Sequence, residues 1–320
     1  MNFIFPEGSL MIIYIEPRSS FRPISSDTFY GAVVNTLQTL SQSFDELLPP
    51  TEKPPFLISS AFPFVLGSEI NHFFPRPLDK MQENSNIDNA FRKKMKTVQY
   101  VHETIFEKWI HGEINEETLS KNFDNYQTCG GLLYPKSLNL DFSIKSLDTA
   151  RNSLNRLTHF SDFFFTSGYY YRNAGLFFMV RFLDPKFESK YRDLLLGSFK
   201  FLRDRGFGGD VSVGKGHFEI FGIKDQEIIN EPADGNRFIS LSKYLPAEDE
   251  IKAFQEKRNL WYDFYTKRGR DSSGRIRKKV RFFMEGSTFP DLNKEAYGKA
   301  IYVDKEAVEF GYSFNVRMRD

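Results

Sequence analysis

The chain has 320 residues and carries 43 basic against 42 acidic side chains, a net charge of +1. That balance argues against a uniformly basic nucleic-acid-binding surface, so any such site must be local. The single cysteine, Cys129, excludes an intramolecular disulfide and a thiolate metal cage, and no cofactor is expected.

The opening segment, MNFIFPEGSLMIIYIEP, has an acidic residue and no basic stretch before a short apolar run, so neither a targeting segment nor a membrane span is expected. A reducing, cytoplasmic setting fits the cysteine usage. Met11 to Pro17 reads as a buried strand. It feeds a polar loop and then a helix: Ser25, Ser26 and Asp27 are N-cap residue types, and Phe29, Val33, Leu37, Leu40 and Phe44 recur at helical spacing. Phe56 to Leu66 reads as a strand broken by Pro63, followed by a helix over Asp88 to Ile110 and a short one near Glu116 to Asn122. Residues 130–173 mix polar, basic and aromatic residues with no clean period, as a projecting hairpin or loop would.

From Gly175 the pattern becomes regular. A strand (GLFFMVRFL) precedes a helix marked by Phe187, Tyr191, Leu194, Leu195 and Leu202, which Gly206 ends. Strands HFEIFGI and NRFISLSKYL, the helix PAEDEIKAF and the strand NLWYDFYTK come next. This order, strand–helix–strand–strand–helix–strand, is the ferredoxin-like split βαβ. The N-terminal half is compatible with the same plan, padded by insertions. VRFFMEGS, KAIYVD and GYSFNVRM read as added strands. The expected fold is α+β: two ferredoxin-like (RRM-like) domains with insertions and a projecting thumb-like hairpin. The expected division is 1–145, a hairpin or linker over 146–174, and 175–320.

Three loops carry candidate chemistry. The loop from Gly206 to Gly216 holds Gly206, Gly208, Gly209, Gly214 and Gly216, with Ser212 and Lys215 among them. Glycine permits positive φ and close backbone approach, and successive amides form an anion-binding nest. Gly209 to Lys215 spells the start of a Walker A motif, but Gly216 replaces the magnesium-binding Ser or Thr, and the loop comes after a helix rather than a strand. A ligand-free glycine turn is the plain alternative. The second loop sets Arg22 before Ser25, Ser26, Asp27 and Thr28 at a helix N-terminus, which attracts phosphate or is simply capped. The third, ARNSLNRLT, offers Arg151, Asn155, Arg156 and Thr158, with Phe163, Phe164, Tyr169 and Tyr170 nearby for stacking. An ordinary polar surface loop would read the same way. Lys267 to Arg281 carries eight basic residues and one acidic, either a solvated hairpin or a basic patch. Catalysis looks poor: no histidine pair has metal-ligand spacing, and His159 and His217 are the only candidates for a general base in RNA cleavage.

These loops, in this order, resemble the RAMP superfamily. SSDTFYGAV resembles its N-terminal motif and GFGGDVSVGKGHFEI its C-terminal glycine-rich loop. ISSAFPF, FFPRPL, ISLSKYLP, FMEGSTF and GYSFNVRM resemble further family segments. ARNSLNRLT resembles an R-x-x-I-D-R-x-T stretch, with Leu154 and Asn155 in place of Ile and Asp. The combination resembles the Cas5-like group, and within it the fourth subunit of type III-A CRISPR (Csm) effector complexes.

The resemblance implies a non-catalytic subunit that holds the 5′ repeat-derived handle of the crRNA between two domains. It implies docking on the large Cas polymerase–cyclase subunit, with a backbone RAMP subunit on the other side and no membrane partner. Carried onto this sequence, RNA contacts fall at Arg22 to Thr28, Arg151 to Thr158 and Gly206 to Gly216. The type III-B counterpart and a guide-RNA-processing endoribonuclease of the same superfamily remain alternatives.

Overall fold

The computed structural model describes residues 9–40, 53–79, 89–154, 157–158, 160–208, 211–269, 276–304 and 307–320. The organising strand is β1 (Leu10–Pro17), whose continuous apolar run is explained by burial on both faces. It lies antiparallel between β10 (Ala174–Phe182) and β11 (Phe218–Asp225). On its far side β10 pairs with β2 (Phe56–Ile58) and β3 (Phe62–Leu66). Helices α1 (Ser26–Thr39) and α5 (Pro185–Arg205) cover one face of these strands. The Phe29 ring there sits 4.5 Å from both Phe178 and Phe199.

An insertion closes the other face. Strands β4 (Ile70–Pro75), β5 (Tyr100–His102), β6 (Tyr126–Cys129) and β7 (Leu132–Pro135) extend the sheet to the order β11-β1-β10-β3-β4-β5-β7-β6. With them come helices α2 (Asn89–Met95), α3 (Glu103–Ile110) and α4 (Glu116–Lys121). Tyr14, Phe62, Phe74 and Phe177 pack beneath this layer.

Two sequence expectations are corrected here. The helix expected over Asp88–Ile110 is two helices separated by β5. Its Tyr-Val-His segment pairs with β4 on one side and, in parallel, with β7 on the other. The strand broken at Pro63 is interrupted instead at Ser59–Ala61. The Ser60 N–H donates to Leu241 C=O at 2.9 Å and the Ala61 N–H to Ile24 C=O at 2.8 Å, so these amides leave the ladder for other partners.

β8 (Ser143–Leu154) and β9 (Ser161–Arg172) form a long antiparallel hairpin, paired from Ser143↔Arg172 to Leu154↔Ser161. Most of both strands is exposed, including Leu147, Leu154, Phe163 and Phe165. With no face against a core, the hairpin shows no polar–apolar alternation.

The remaining strands build a second unit. β12 (Arg237–Ser240) lies between β15 (Thr288–Pro290) and β18 (Asn315–Met318). β13 (Phe264–Lys267) pairs with β14 (Val280–Phe283), and bridges Trp261↔Thr288 and Tyr244↔Phe283 tie this ladder to the three-stranded sheet. β16 (Gly298–Asp304) and β17 (Ala307–Tyr312) form a hairpin packed on α1, with the Phe310 ring stacked 4.5 Å from Tyr30. Helix α6 (Glu248–Lys257) is anchored by the buried Glu250 carboxylate, which accepts from the Ala247 N–H, the Gly298 N–H and the Tyr244 hydroxyl.

The boundary expected at residue 175 cuts through the first sheet. β10, α5 and β11 lie beyond that boundary in sequence, yet β10 sits directly between β1 and β3. Contiguity in sequence groups these elements with the C-terminal strands. Burial on both faces of β10 requires β1, β3 and α1 from before the boundary together with α5 from after it.

Candidate nucleic-acid interface

The glycine loop is a closed neck with an open rim. Helix α5 ends where Gly206, at φ +91°, turns the chain, its N–H donating to Leu202 C=O at 2.8 Å. The Phe207 N–H donates to Gly216 C=O at 2.8 Å, and the buried Phe207 ring packs on Phe21. A Cβ at Gly216 would lie 2.0 Å from the Phe207 carbonyl oxygen, so only glycine fits. Gly208 and Gly214 also have positive φ, but nothing lies within 4 Å of a Cβ there. Their backbone borders open space. Ser212 is exposed between them, and Gly209 lies outside the described residues.

Lys215 departs from expectation. Instead of offering its charge at the rim, it is buried, and its ammonium donates to Thr166 Oγ1 of β9 at 2.6 Å. It braces the loop against the hairpin.

The N-terminal loop completes this junction. Phe21 and Tyr169 exchange backbone hydrogen bonds of 2.9 Å, the Arg22 Nε–H donates to Ser167 C=O at 2.9 Å, and the Gly216 N–H donates to Ser20 C=O at 3.1 Å. The Arg18 N–H donates to His217 C=O at 2.8 Å, and the His217 N–H donates to Ser19 Oγ at 3.0 Å. A Cβ at Gly168 would lie 1.9 Å from Ser20 Oγ, so loop and hairpin touch closely with no room for a side chain. Segments near residues 20, 168 and 216 thus converge.

Arg22 stays exposed at this junction, as does Thr28, whose hydroxyl lies 3.1 Å from that of Ser25. Ser26 and Asp27 do not belong to the surface. The Lys243 N–H donates to Ser26 Oγ at 2.9 Å. Asp27 is buried against the Lys267 ammonium, which also donates to Glu309, at 2.6 Å each. Burial pulls the Lys267 ammonium down, but the two carboxylates outweigh it and hold its pKa above the ordinary lysine value. Burial pushes the Glu309 carboxyl up despite Lys267. These two residues, expected among the RNA contacts of the helix N-terminus, are therefore joints between units. Of the described basic residues from Lys267 to Arg281, only those at the ends, Lys267 and Arg281, lie in the paired strands β13 and β14, with 270–275 outside the described residues.

The described residues of the third predicted loop lie away from the junction. Arg151 faces Phe164 in the register, two positions beyond the Thr149↔Thr166 pair, or about 7 Å toward the tip. Thr158 is exposed at the tip itself, and Asn155, Arg156 and His159 lie outside the described residues. Thr166 to Tyr169, at the hairpin's lower half, take the place expected of this stretch.

A cleft of about 510 Å³ lies at the other end of the N-terminal loop, and of the predicted residues it includes only Ser25. Its walls come from both units: Ser25 and Tyr100 from the first, Lys243, Asp263, Tyr265 and Glu285 from the second. The Lys243 ammonium is 2.8 Å from Glu285 and 4.6 Å from the Tyr265 ring centroid. Burial pushes the Tyr100 hydroxyl pKa well up, helped by Glu285 and by Tyr169, so the cleft adjoins the hairpin base. Lys243 and Glu285 stand inside ISLSKYLP and FMEGSTF, segments legible only as motifs.

Two histidines are core groups. His72 bonds to the Tyr14 hydroxyl at 2.8 Å and to Glu103 at 2.7 Å. His102 lies 3.2 Å from Asn71 Oδ1, and burial lowers its pKa. No group of three or more His, Cys, Asp or Glu with metal-site geometry occurs among the described residues. No helix among them is long and apolar enough to cross a membrane.

No protein-family model matches the chain. A chain in the crystal structure of a Csm3–Csm4 subcomplex from the type III-A CRISPR-Cas interference complex superposes with a TM-score of 0.67 at 14% identity, covering 98% of this chain and 100% of that one. A chain in a crystal structure of the Csm1–Csm4 cassette with pppApA gives 0.57 at 16% identity, covering 97% and 98%. The α+β fold is that of these Csm4 structures. In sequence, the CRISPR system Cms protein Csm4 of Thermococcus onnurineus (strain NA1) is 24% identical over 285 residues, 85% of this chain and 83% of the relative. The chain is thus similar in sequence to Csm4 and shares the fold of solved Csm4 chains.

Proposed function

We propose that this chain is a non-catalytic crRNA-binding subunit of a type III-A CRISPR interference complex in the cytoplasm. It caps the 5′ repeat-derived handle, docks the large polymerase–cyclase subunit and adjoins a backbone RAMP subunit. The relatives' assemblies with Csm1 and Csm3 support these partners. In this reading the scaffold is two ferredoxin-like units. The order β11-β1-β10-β3 with α1 and α5 is the 4-1-3-2 arrangement of the split βαβ. In the second unit the order β18-β12-β15 repeats part of it, with the β16–β17 hairpin in place of a helix.

The observation that carries the RNA assignment is the convergence of the glycine loop, the Arg22 loop and the hairpin base beside a cleft between the units. Gly208 and Gly214 border open space with positive φ, so peptide groups there can meet a sugar–phosphate strand without carrying net charge. That reconciles RNA binding with a chain whose net charge is only +1. The exposed Phe163 and Phe165 supply faces on which splayed bases stack.

The test is fluorescence anisotropy of the purified chain with handle RNA, comparing wild type with Gly214→Val. The valine side chain fills the open rim, and an affinity loss of about tenfold or more is expected with the fold retained. Equal affinity in a folded variant would remove the loop from the interface.

A further inference from the structure

The cleft between the units has a composition that suits a base better than a phosphate. Its two cations are already engaged, Arg76 with Glu116 and Lys243 with Glu285. Two carboxylates, Asp263 and Glu285, line the same space. Ionised carboxylates only accept hydrogen bonds and repel an anion. Beside them the Tyr265 ring is 41% exposed. The Lys243 ammonium lies over one of its faces. Asp263 is held in place, with its Oδ1 accepting from the Phe264 N–H at 2.7 Å and its own C=O from the Met284 N–H at 2.9 Å. A volume of about 510 Å³ falls in the range of small-ligand sites.

We propose that this cleft seats one unstacked nucleobase of the bound RNA, stacked on Tyr265, and selects bases bearing an exocyclic amine over uracil. Guanine, adenine and cytosine present amine N–H donors to Asp263, since the Glu285 carboxylate already accepts from Ser60 Oγ and the Lys243 ammonium. Uracil presents two carbonyl oxygens beside its single N–H, and those oxygens face carboxylates unfavourably. The second unit thereby reads sequence, whereas the glycine loop grips backbone. This proposal rests on the RNA-binding reading and assigns a separate site within it.

The experiment uses the full chain and fluorescent handle RNAs in which an abasic residue is moved one position at a time. Tyr265→Ala is expected to weaken binding of the intact RNA about tenfold, the loss of one stacked base. That loss should vanish for the RNA whose abasic residue falls in the cleft. At that position uracil should bind wild type severalfold more weakly than cytosine. Asp263→Asn, whose carboxamide donates to a carbonyl and whose Oδ1 still accepts from Phe264, should abolish the difference. A Tyr265→Ala loss that is the same at every abasic position, or uracil bound as well as cytosine, overturns the proposal while leaving RNA binding intact. Failure of wild type to bind any handle RNA overturns the functional reading as well.

Discussion

Gly216→Ala and Gly214→Ala place the same methyl group at two positions of one loop with opposite surroundings. Both glycines have positive φ, +76° and +82°, so each substitution carries backbone strain of about 1–2 kcal/mol. At Gly214 that is the whole cost, because nothing lies within 4 Å of the new Cβ. At Gly216 the Cβ would sit 2.0 Å from the Phe207 carbonyl oxygen and 2.9 Å from its carbon, so the neck must open. Opening it sacrifices the Phe207 N–H···O=C Gly216 bond of 2.8 Å and the Gly216 N–H···O=C Ser20 bond of 3.1 Å. At about 0.5–1.5 kcal/mol each, the added cost is about 1–3 kcal/mol. Thermal melts of the two variants should therefore separate by several degrees, at roughly 2–4 °C per kcal/mol, with Gly214→Ala the closer to wild type. Equal melting temperatures for the two variants would refute a loop closed at Gly216 and open at Gly214.

Lys267→Met leaves the Asp27 and Glu309 carboxylates buried together without their cation, and stability should fall by about 3–5 kcal/mol in denaturant titrations. Adding Asp27→Asn and Glu309→Gln should recover part of it; no recovery would mean the ion cluster is not the cause. His102 titrates below the ordinary histidine value of 6.5 because burial disfavours its cation. Its contribution is fully present above that value and is lost as pH falls through the lowered one. Melts between pH 7.5 and 5.5 should fall less steeply for His102→Gln than for wild type; parallel slopes would show that His102 takes no part.

The strands with an unbroken apolar run and the helices with a clear period were legible in order and type. β1, α1, β10, α5 and α6 each match an apolar run or a helical period, and Gly206 ends α5 as its position suggested. The glycine loop was legible too, since only a backbone requirement explains so many glycines together. The failures have a common cause. β5 interrupts an expected helix because strands from distant segments claim Tyr100 to His102. Ser26, Asp27 and Lys215 stand in loops read as RNA contacts, but their partners, Lys243, Lys267 and Thr166, come from distant parts of the chain. Nothing local distinguishes a solvated serine from one capped by another unit.

By itself the sequence determined an α+β chain of about two units, a glycine loop built for close backbone approach and a projecting hairpin, because local propensity and period act over a few residues. Only the tertiary structure decided that β10 and β11 complete the first sheet, that Asp27 and Lys215 are struts, and that a carboxylate-lined cleft opens between the units. Each of these depends on groups brought together from opposite ends of the chain, and burial, not residue type, determines whether a charge faces a ligand or a partner side chain.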